Sequence, residues 1–261
     1  MRVVEPGSGY LACGDTGKGR LADVDAIVAA TLGLFGPGLG GHAPLAGRKV
    51  LVTAGPTVEW IDPVRYVSNP SSGKMGFAVA EAARDAGADV TLVSGPVSLD
   101  DPEGVNVVHV DTAVEMLEAC ENRFDDCDIA VFAAAVSDYR PRVRSDRKLK
   151  KSSDEESLAC VEMVENPDVL ATLAARKSAG QFVVGFAAET DDVVEHAREK
   201  LRSKGADLIV ANQVGEHKGF QEDGNAAVFV SDRGVLELPY MPKRELAAKI
   251  VEVACDNFKV C

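Results

Sequence analysis

Two serines, a lysine and two glycines within NPSSGKMG, residues 69–76, gather hydroxyls, an ammonium group and sterically open backbone into one short segment. These groups bind anions. N–H groups at a helix start, the hydroxyls of Ser71 and Ser72, and Lys74 in the first turn together offer several donors and a positive dipole end to a phosphate. The segment closes a longer stretch, residues 49–76, that opens on the apolar run 50–52, reads as a buried strand and passes through turn-forming residues that include Gly55. Open α/β sheets hold their ligands where a strand feeds such a helix. The P-loop pattern G-x-x-x-x-G-K-[ST] does not fit: Ser68 stands at its first glycine, and Met75 replaces the residue that would hold Mg²⁺. An ordinary helix start is the competing reading.

Three further segments carry polar groups to the same kind of place. In FAAAVSDYRP, residues 132–141, a strand dissolves into Ala133, Ala134 and Ala135 before Asp138. Small residues let a ring or sugar approach the backbone, and the aspartate can take a ribose hydroxyl or a metal; a helix-packing patch beside a turn Asp is the alternative. RKLKK, residues 147–151, puts Lys148 in a long loop after a strand. A charge run is usually a solvated face, but a lysine loop closing on a triphosphate neutralises a leaving pyrophosphate. GFAAET, residues 185–190, ends a strand with Phe186 placed to stack on a base and Glu189 near the edge, and Lys200 and Lys204 share one face of the helix that follows.

The elements that must position these groups are regular. Apolar runs at 49–53, 89–93, 106–110, 128–133, 182–187, 207–211 and 226–230 predict strands, and amphipathic segments at 74–87, 112–121, 167–178, 191–204 and 242–258 predict helices. Asn166 is expected to cap the third of these helices, with Pro167 at its first position, and Asp191 and Asp192 favour the start of the fourth. The alternation predicts an α/β fold, a Rossmann-like three-layer sandwich with a mainly parallel sheet. Residues 1–20 are punctuated by glycine, 23–34 read as a short helix, and 33–47 are a Gly- and Pro-rich linker, which divides the chain into 1–46 and 47–261.

The chain has 261 residues, 46% of them apolar, and a formal net charge of −13, so it can bury a substantial core and has no basic face for a nucleic-acid partner. Its six cysteines form no C-x-x-C pair or zinc spacing and are expected to be free thiols. No signal peptide and no apolar run of about 18 residues is found, so the expected location is cytoplasmic, with no membrane contact. An NAD(P)-dependent oxidoreductase is one alternative, but no G-x-G-x-x-G follows the first strand, no acid ends the second, and Tyr139 has no lysine four residues on.

Taken together, GPTVEWIDPVRYVSNPSSGKMG, AAAVSDYRP, the KLKK loop, ENPDVL, VGFAAET and GADLIVAN resemble the phosphopantothenoylcysteine synthetase (phosphopantothenate–cysteine ligase) family over about residues 47–258. PGSGYLACGDTGKGR resembles the substrate-clamp loop of the flavin-dependent decarboxylase that prokaryotes fuse in front, with Cys13 at its acid position. The rest of that enzyme is not in the sequence, so no decarboxylation and no FMN are expected of this chain. The resemblance implies coenzyme A biosynthesis: 4′-phosphopantothenate is activated by a nucleoside triphosphate with Mg²⁺, and L-cysteine then displaces the nucleotide. It implies CTP, with ATP as the less favoured nucleotide, and a homodimer whose loops reach across, with a separate decarboxylase as a further partner. By resemblance Asn69 and Lys148 are catalytic, the one serving amide formation and the other meeting the triphosphate. Ala133 to Ala135, Asp138, Pro167, Asp168, Val169, Leu170, Phe186, Lys200 and Lys204 line the nucleotide site, with Gly55, Ser71, Ser72 and Gly73 around its phosphates. A non-catalytic partner of a decarboxylase is the remaining alternative, opposed by the presence of Asn69, Lys148 and Asp138.

Overall fold

The computed structural model describes residues 6–10, 16–22, 24, 27, 43–150, 160–189, 191–213 and 224–258. The chain divides into two compact units, residues 1–44 and 45–261. In the first, β1 (Gly7–Tyr10) pairs antiparallel with β2 (Thr16–Arg20), Tyr10 lying opposite Thr16. Four of these nine strand residues are glycine, which is why the sequence shows no strand there. Cys13 and the linker residues 28–42 lie outside the described residues; of the expected 23–34 helix only Val24 and Ile27 are described, both helical.

The second unit runs β3 (Lys49–Ala54), β4 (Val58–Trp60), β5 (Tyr66–Ser68), α1 (Lys74–Asp85), β6 (Asp89–Ser94), β7 (Asn106–His109), α2 (Ala113–Phe124), β8 (Ile129–Phe132), β9 (Tyr139–Pro141), β10 (Met163–Glu165), α3 (Val169–Ala174), β11 (Phe182–Glu189), α4 (Val193–Lys204), β12 (Leu208–Gln213), β13 (Gly224–Ser231), β14 (Gly234–Pro242) and α5 (Lys243–Phe258). Eight strands form one sheet in the order β14-β13-β12-β11-β8-β3-β6-β7. The six from β7 to β12 are parallel, and β13 and β14 are antiparallel additions. Numbered along the chain, the parallel strands stand 3-2-1-4-5-6, the doubly wound order, which reverses direction between β3 and β8.

Both faces of this sheet are covered, which explains the continuous apolar runs. Val50, Val52, Val131, Val184 and Val210 pack under α1 and α5 through Phe77, Val79, Leu246 and Ile250. The alternate residues Leu51, Val93, Ala130 and Val183 pack on the other face against Met116, Cys120 and Phe124 of α2 and Leu173 of α3, and Ala187, Ile209 and Ala211 against Ala197 and Leu201 of α4. Of the cysteines, Cys120, Cys127, Cys160 and Cys255 are free thiols, and burial pushes Cys120 and Cys127 up to about 12. Among the described residues no helix is long and apolar enough to cross a membrane.

The α3 start differs from expectation, whereas α4 starts at the expected aspartates with an unusual cap. The α3 cap is Asp168, whose Oδ1 accepts the Ala171 N–H at 2.8 Å, so Pro167 precedes the helix. Asn166 is drawn elsewhere, its Nδ2 donating to the Ser137 carbonyl at 2.8 Å and its Oδ1 accepting from Arg140 at 3.1 Å. At α4, Asp192 is the cap but has a φ of 41° and makes no side-chain capping bond; its carbonyl accepts the Glu195 and His196 N–H groups. The sequence also hides β14, an exposed edge strand ending in Pro242.

Candidate active site

The site follows from the reversal between β3 and β8. Beyond their last paired residues the two chains stay together: Ala135 N–H donates to the Gly55 carbonyl at 2.8 Å, Thr57 N–H to the Ala135 carbonyl at 3.3 Å, and Ser137 N–H to Thr57 Oγ1 at 3.0 Å. The alanine turn is thereby a fixed wall. On its far side α1 starts close against β3, because a Cβ on Gly76 would fall 2.5 Å from the Ala54 Cβ. Gly73 caps α1 at a φ of 74°, in the left-handed region, and no side chain caps that helix.

Two adjoining cavities open here. One, of about 520 Å³, is lined by Ala134, Asp138, Pro167, Asp168, Val169, Leu170, Phe186, Lys200 and Lys204, with Thr53, Ser137, Glu165 and Asn166 among the rest. The other, of about 480 Å³, is lined by Asn69, Ser71, Ser72, Gly73, Lys74, Ala133, Ala134, Ala135, Glu189, Asn212, Asn225 and Lys243 among others. Ala134, Val136, Asp138, Phe186 and Lys200 belong to both. The first cavity lies toward α3 and α4 and the second toward α1 and α5, so they meet over the carboxyl edge of the sheet.

Gly55 and Lys148 line neither cavity. Gly55, at a φ of 75°, packs against the start of α1, its N 3.5 Å from the Cβ position of Gly73, so it supports the 69–76 segment. Lys148 is exposed, one residue before the buried Leu149. Leu149 is held by a knot around Asp62, which is wholly buried and accepts N–H bonds from Val64 (2.8 Å), Arg65 (2.9 Å) and Leu149 (3.2 Å). Arg65 lies 3.1 Å from the Asp62 carboxylate and donates to the Leu149 carbonyl at 2.8 Å. Burial pushes the Asp62 carboxyl up, but the three backbone donors and the Arg65 guanidinium outweigh it and hold the group below the usual carboxylate range. The knot ties the start of β5, which runs into Asn69, to the segment that carries Lys148.

The charges at the cavities are set by their neighbours. Lys204 binds Asp168; although burial pushes the Asp168 carboxyl up, the Ala171 N–H, Lys204 and Lys200 bring it below its ordinary value. Lys200, at the junction, is pushed down by burial and by Lys204, against the opposing pull of Glu189, Asp168 and Asp138. Asn69 is held by its Nδ2, which donates to the Val136 carbonyl at 3.0 Å and leaves its second N–H for a ligand. The arrangement can seat a nucleotide in the first cavity, bring its phosphates to Lys200, and place a second anionic molecule in the other.

Sequence reasoning passes over Lys243; it meets Asn212 and Asn225 only as the ends of the polar, glycine-rich segment 212–225, which follows a predicted strand and reads as a loop over the same edge. Asn212 ends a strand in GADLIVAN and was readable as an edge residue, but Asn225 and Lys243 reach the cavity only through the antiparallel β13 and β14, which the parallel pattern does not foretell.

Residues 45–257 match the family described as the DNA/pantothenate metabolism flavoprotein C-terminal domain. The Coenzyme A biosynthesis bifunctional protein CoaBC of Vibrio vulnificus (strain YJ016) is 45% identical over 253 residues, 97% of this chain and 62% of that protein. Its counterpart in Bacillus subtilis (strain 168) is 44% identical over 252 residues, 95% of this chain and 61% of that protein. The crystal structure of the C-terminal domain of a CoaBC protein superposes with a TM-score of 0.71 at 39% identity, covering 83% of this chain and 98% of that one. The chain thus spans about three fifths of the length of these curated relatives. With the family matched across almost all of the second unit and the doubly wound fold shared with a solved member, the chain belongs to the DNA/pantothenate metabolism flavoprotein C-terminal domain family.

Proposed function

We propose that this chain ligates L-cysteine to 4′-phosphopantothenate, using CTP. The observation that supports this reading is the pair of cavities meeting over Ala134, Asp138 and Lys200: a ligation through an acyl-nucleotidylate needs two anionic substrates to meet at one phosphorus. In the first step a carboxylate oxygen of phosphopantothenate attacks the α-phosphorus and pyrophosphate leaves. The cysteine amine then attacks the acyl carbon, loses a proton, and CMP departs carrying the former carboxylate oxygen.

The chain's residues hold these groups. Phe186 and the 167–170 segment enclose the nucleoside, Asp138 takes a sugar hydroxyl, and Lys200 and Lys204 meet phosphate charge. The Asn69 amide donates to the acyl oxygen as it gains charge. Among the described residues no three His, Cys, Asp or Glu side chains converge as a metal cage; Asp138 is the carboxylate shared by the two cavities, and Glu189 lines the second. That donor set would fit a Mg²⁺ brought by the triphosphate, with Asp138 as the carboxylate in reach, and the ion would supply neutralisation of charge on the leaving pyrophosphate. The free thiols suit a reducing compartment, and we place the reaction in the cytosol, in a homodimer working beside a decarboxylase.

The test is pyrophosphate release in the presence of phosphopantothenate and cysteine. Turnover is expected with CTP, and more slowly with ATP. No turnover with either nucleotide ends the ligase reading.

A further inference from the structure

Amide formation takes two protons from the cysteine nitrogen. At neutral pH an α-amino group is largely an ammonium ion with no free electron pair, so one proton leaves before the attack on the acyl carbon. The other leaves as the N–C bond forms and the C–O bond to CMP breaks. A group that accepts both within one turnover must shed the first before the second arrives.

Glu189 is placed for this. It ends β11, lines the second cavity and does not line the first. Burial lowers the Lys200 ammonium, and Glu189 is foremost among the carboxylates that oppose this, which sets it beside the lysine shared by both cavities. The other carboxylates are engaged or on the wrong side: Asp138 is assigned to the nucleotide, Asp168 binds Lys204, and Glu165 lines only the first cavity.

Behind Glu189 stands His196, in the first turns of α4, which packs on β11. Its Nδ1 is buried, has no hydrogen-bond partner among the described residues, and lies 3.3 Å from Glu189 Oε2 and 4.0 Å from Asp191 Oδ1. Contacts of that length tighten into hydrogen bonds when substrate completes a site. The His196 side chain is 40% exposed, so with Nδ1 buried the rest of it reaches solvent. An imidazole takes a proton on one nitrogen and releases one from the other near neutral pH. The charged groups around this pair are Asp191 before α4, Lys200 one turn along it, Asp168 at the α3 start and Asp138 after β8. Within their bounds α3, β12 and β13, which also pack against α4, contain no titratable residue.

We propose that Glu189 is the general base of amide formation and that His196 is the relay through which its proton reaches solvent. This rests on the ligase reading for its nucleophile. Glu189 takes the ammonium proton and the amine attacks. Glu189 then passes that proton to His196 Nδ1 while the imidazole releases one from its other nitrogen to water. The carboxylate, ionised again, takes the second proton as CMP leaves. Glu189 is the catalytic residue, and His196 acts through it.

The test mixes enzyme loaded with CTP and 4′-phosphopantothenate with either cysteine or hydroxylamine and separates the quenched products. Hydroxylamine is a free base at neutral pH and needs no proton removed before it attacks. Glu189→Gln is expected to form amide about 100-fold more slowly with cysteine while hydroxylamine still captures the acyl-nucleotidylate at the rate seen with the unaltered chain. His196→Ala is expected to slow the cysteine reaction about tenfold, and imidazole added to the buffer should relieve the loss, which a merely structural role would not allow. Should Glu189→Gln fail to fold, by circular dichroism, Glu189→Asp takes its place, with a smaller loss confined to cysteine. Equal slowing with both nucleophiles, or none with either, overturns the base, and a His196→Ala loss that imidazole leaves untouched overturns the relay. No pyrophosphate release from the unaltered chain is a separate result, which ends the ligase reading and this proposal with it.

Discussion

Asn69→Asp is expected to release pyrophosphate at close to the rate of the unaltered chain yet form amide about 10²–10³-fold more slowly, so that acyl-nucleotidylate accumulates. One N–H of Asn69 Nδ2 is spent on the Val136 carbonyl, at 3.0 Å, which fixes the amide beside the alanine wall. The other is available to the acyl oxygen, on which negative charge builds as the amine attacks. A carboxylate supplies neither donor. It faces the Val136 carbonyl oxygen without a proton and sets a negative charge where charge is developing, so the second step suffers while the first, which loads charge on phosphorus, proceeds. Rapid quench with chromatographic separation of the intermediate reads both steps. Unaltered amide formation removes Asn69 from this role.

Lys148→Met is expected to have the complementary effect, slowing pyrophosphate release about 100-fold while leaving amide formation from preformed acyl-nucleotidylate unchanged. The placement of Lys148 adds a condition. It is exposed and outside both cavities, and its neighbour Leu149 is pinned through Asp62 and Arg65. A side chain rooted outside both cavities suits the proposed homodimer, in which it would meet the triphosphate of the other copy. Mixing Asn69→Asp and Lys148→Met chains, each impaired alone, should then restore ligation, since one site of each mixed pair would have both residues intact. No recovery on mixing places Lys148 in its own chain's site.

How much of this was legible in the sequence differs between the sheet and the site. The seven strands read from apolar runs lie within two residues of their positions, because a sheet buried on both faces writes itself as uninterrupted Val, Leu and Ile. The short pairs β4–β5 and β9–β10 do not, since three-residue strands leave no period to detect. The Pro167 helix start was misread because Asn166 and Asp168 are both capping residues, and only tertiary structure shows that Asn166 is engaged by Ser137 and Arg140. At the candidate site, small residues at strand ends mark the edge where β3 and β8 part, and the two cavities open there. The division of that edge into two cavities was not legible. It depends on which helices cover which face, and Lys243 is some 170 residues along the chain from the 69–76 segment with which it shares a cavity. The doubly wound order itself is shared with dinucleotide-binding folds, so the order alone could not separate a ligase from an oxidoreductase.

In the proposed ligation the acid is activated through its own carboxylate oxygen at the α-phosphorus, where the two cavities meet. It is tested most directly by running the reaction with 4′-phosphopantothenate labelled with ¹⁸O in the carboxylate and weighing the nucleotide product. One ¹⁸O atom is expected in the CMP and none in pyrophosphate. Orthophosphate carrying the label, or CMP without it, would rule out activation through an acyl-cytidylate.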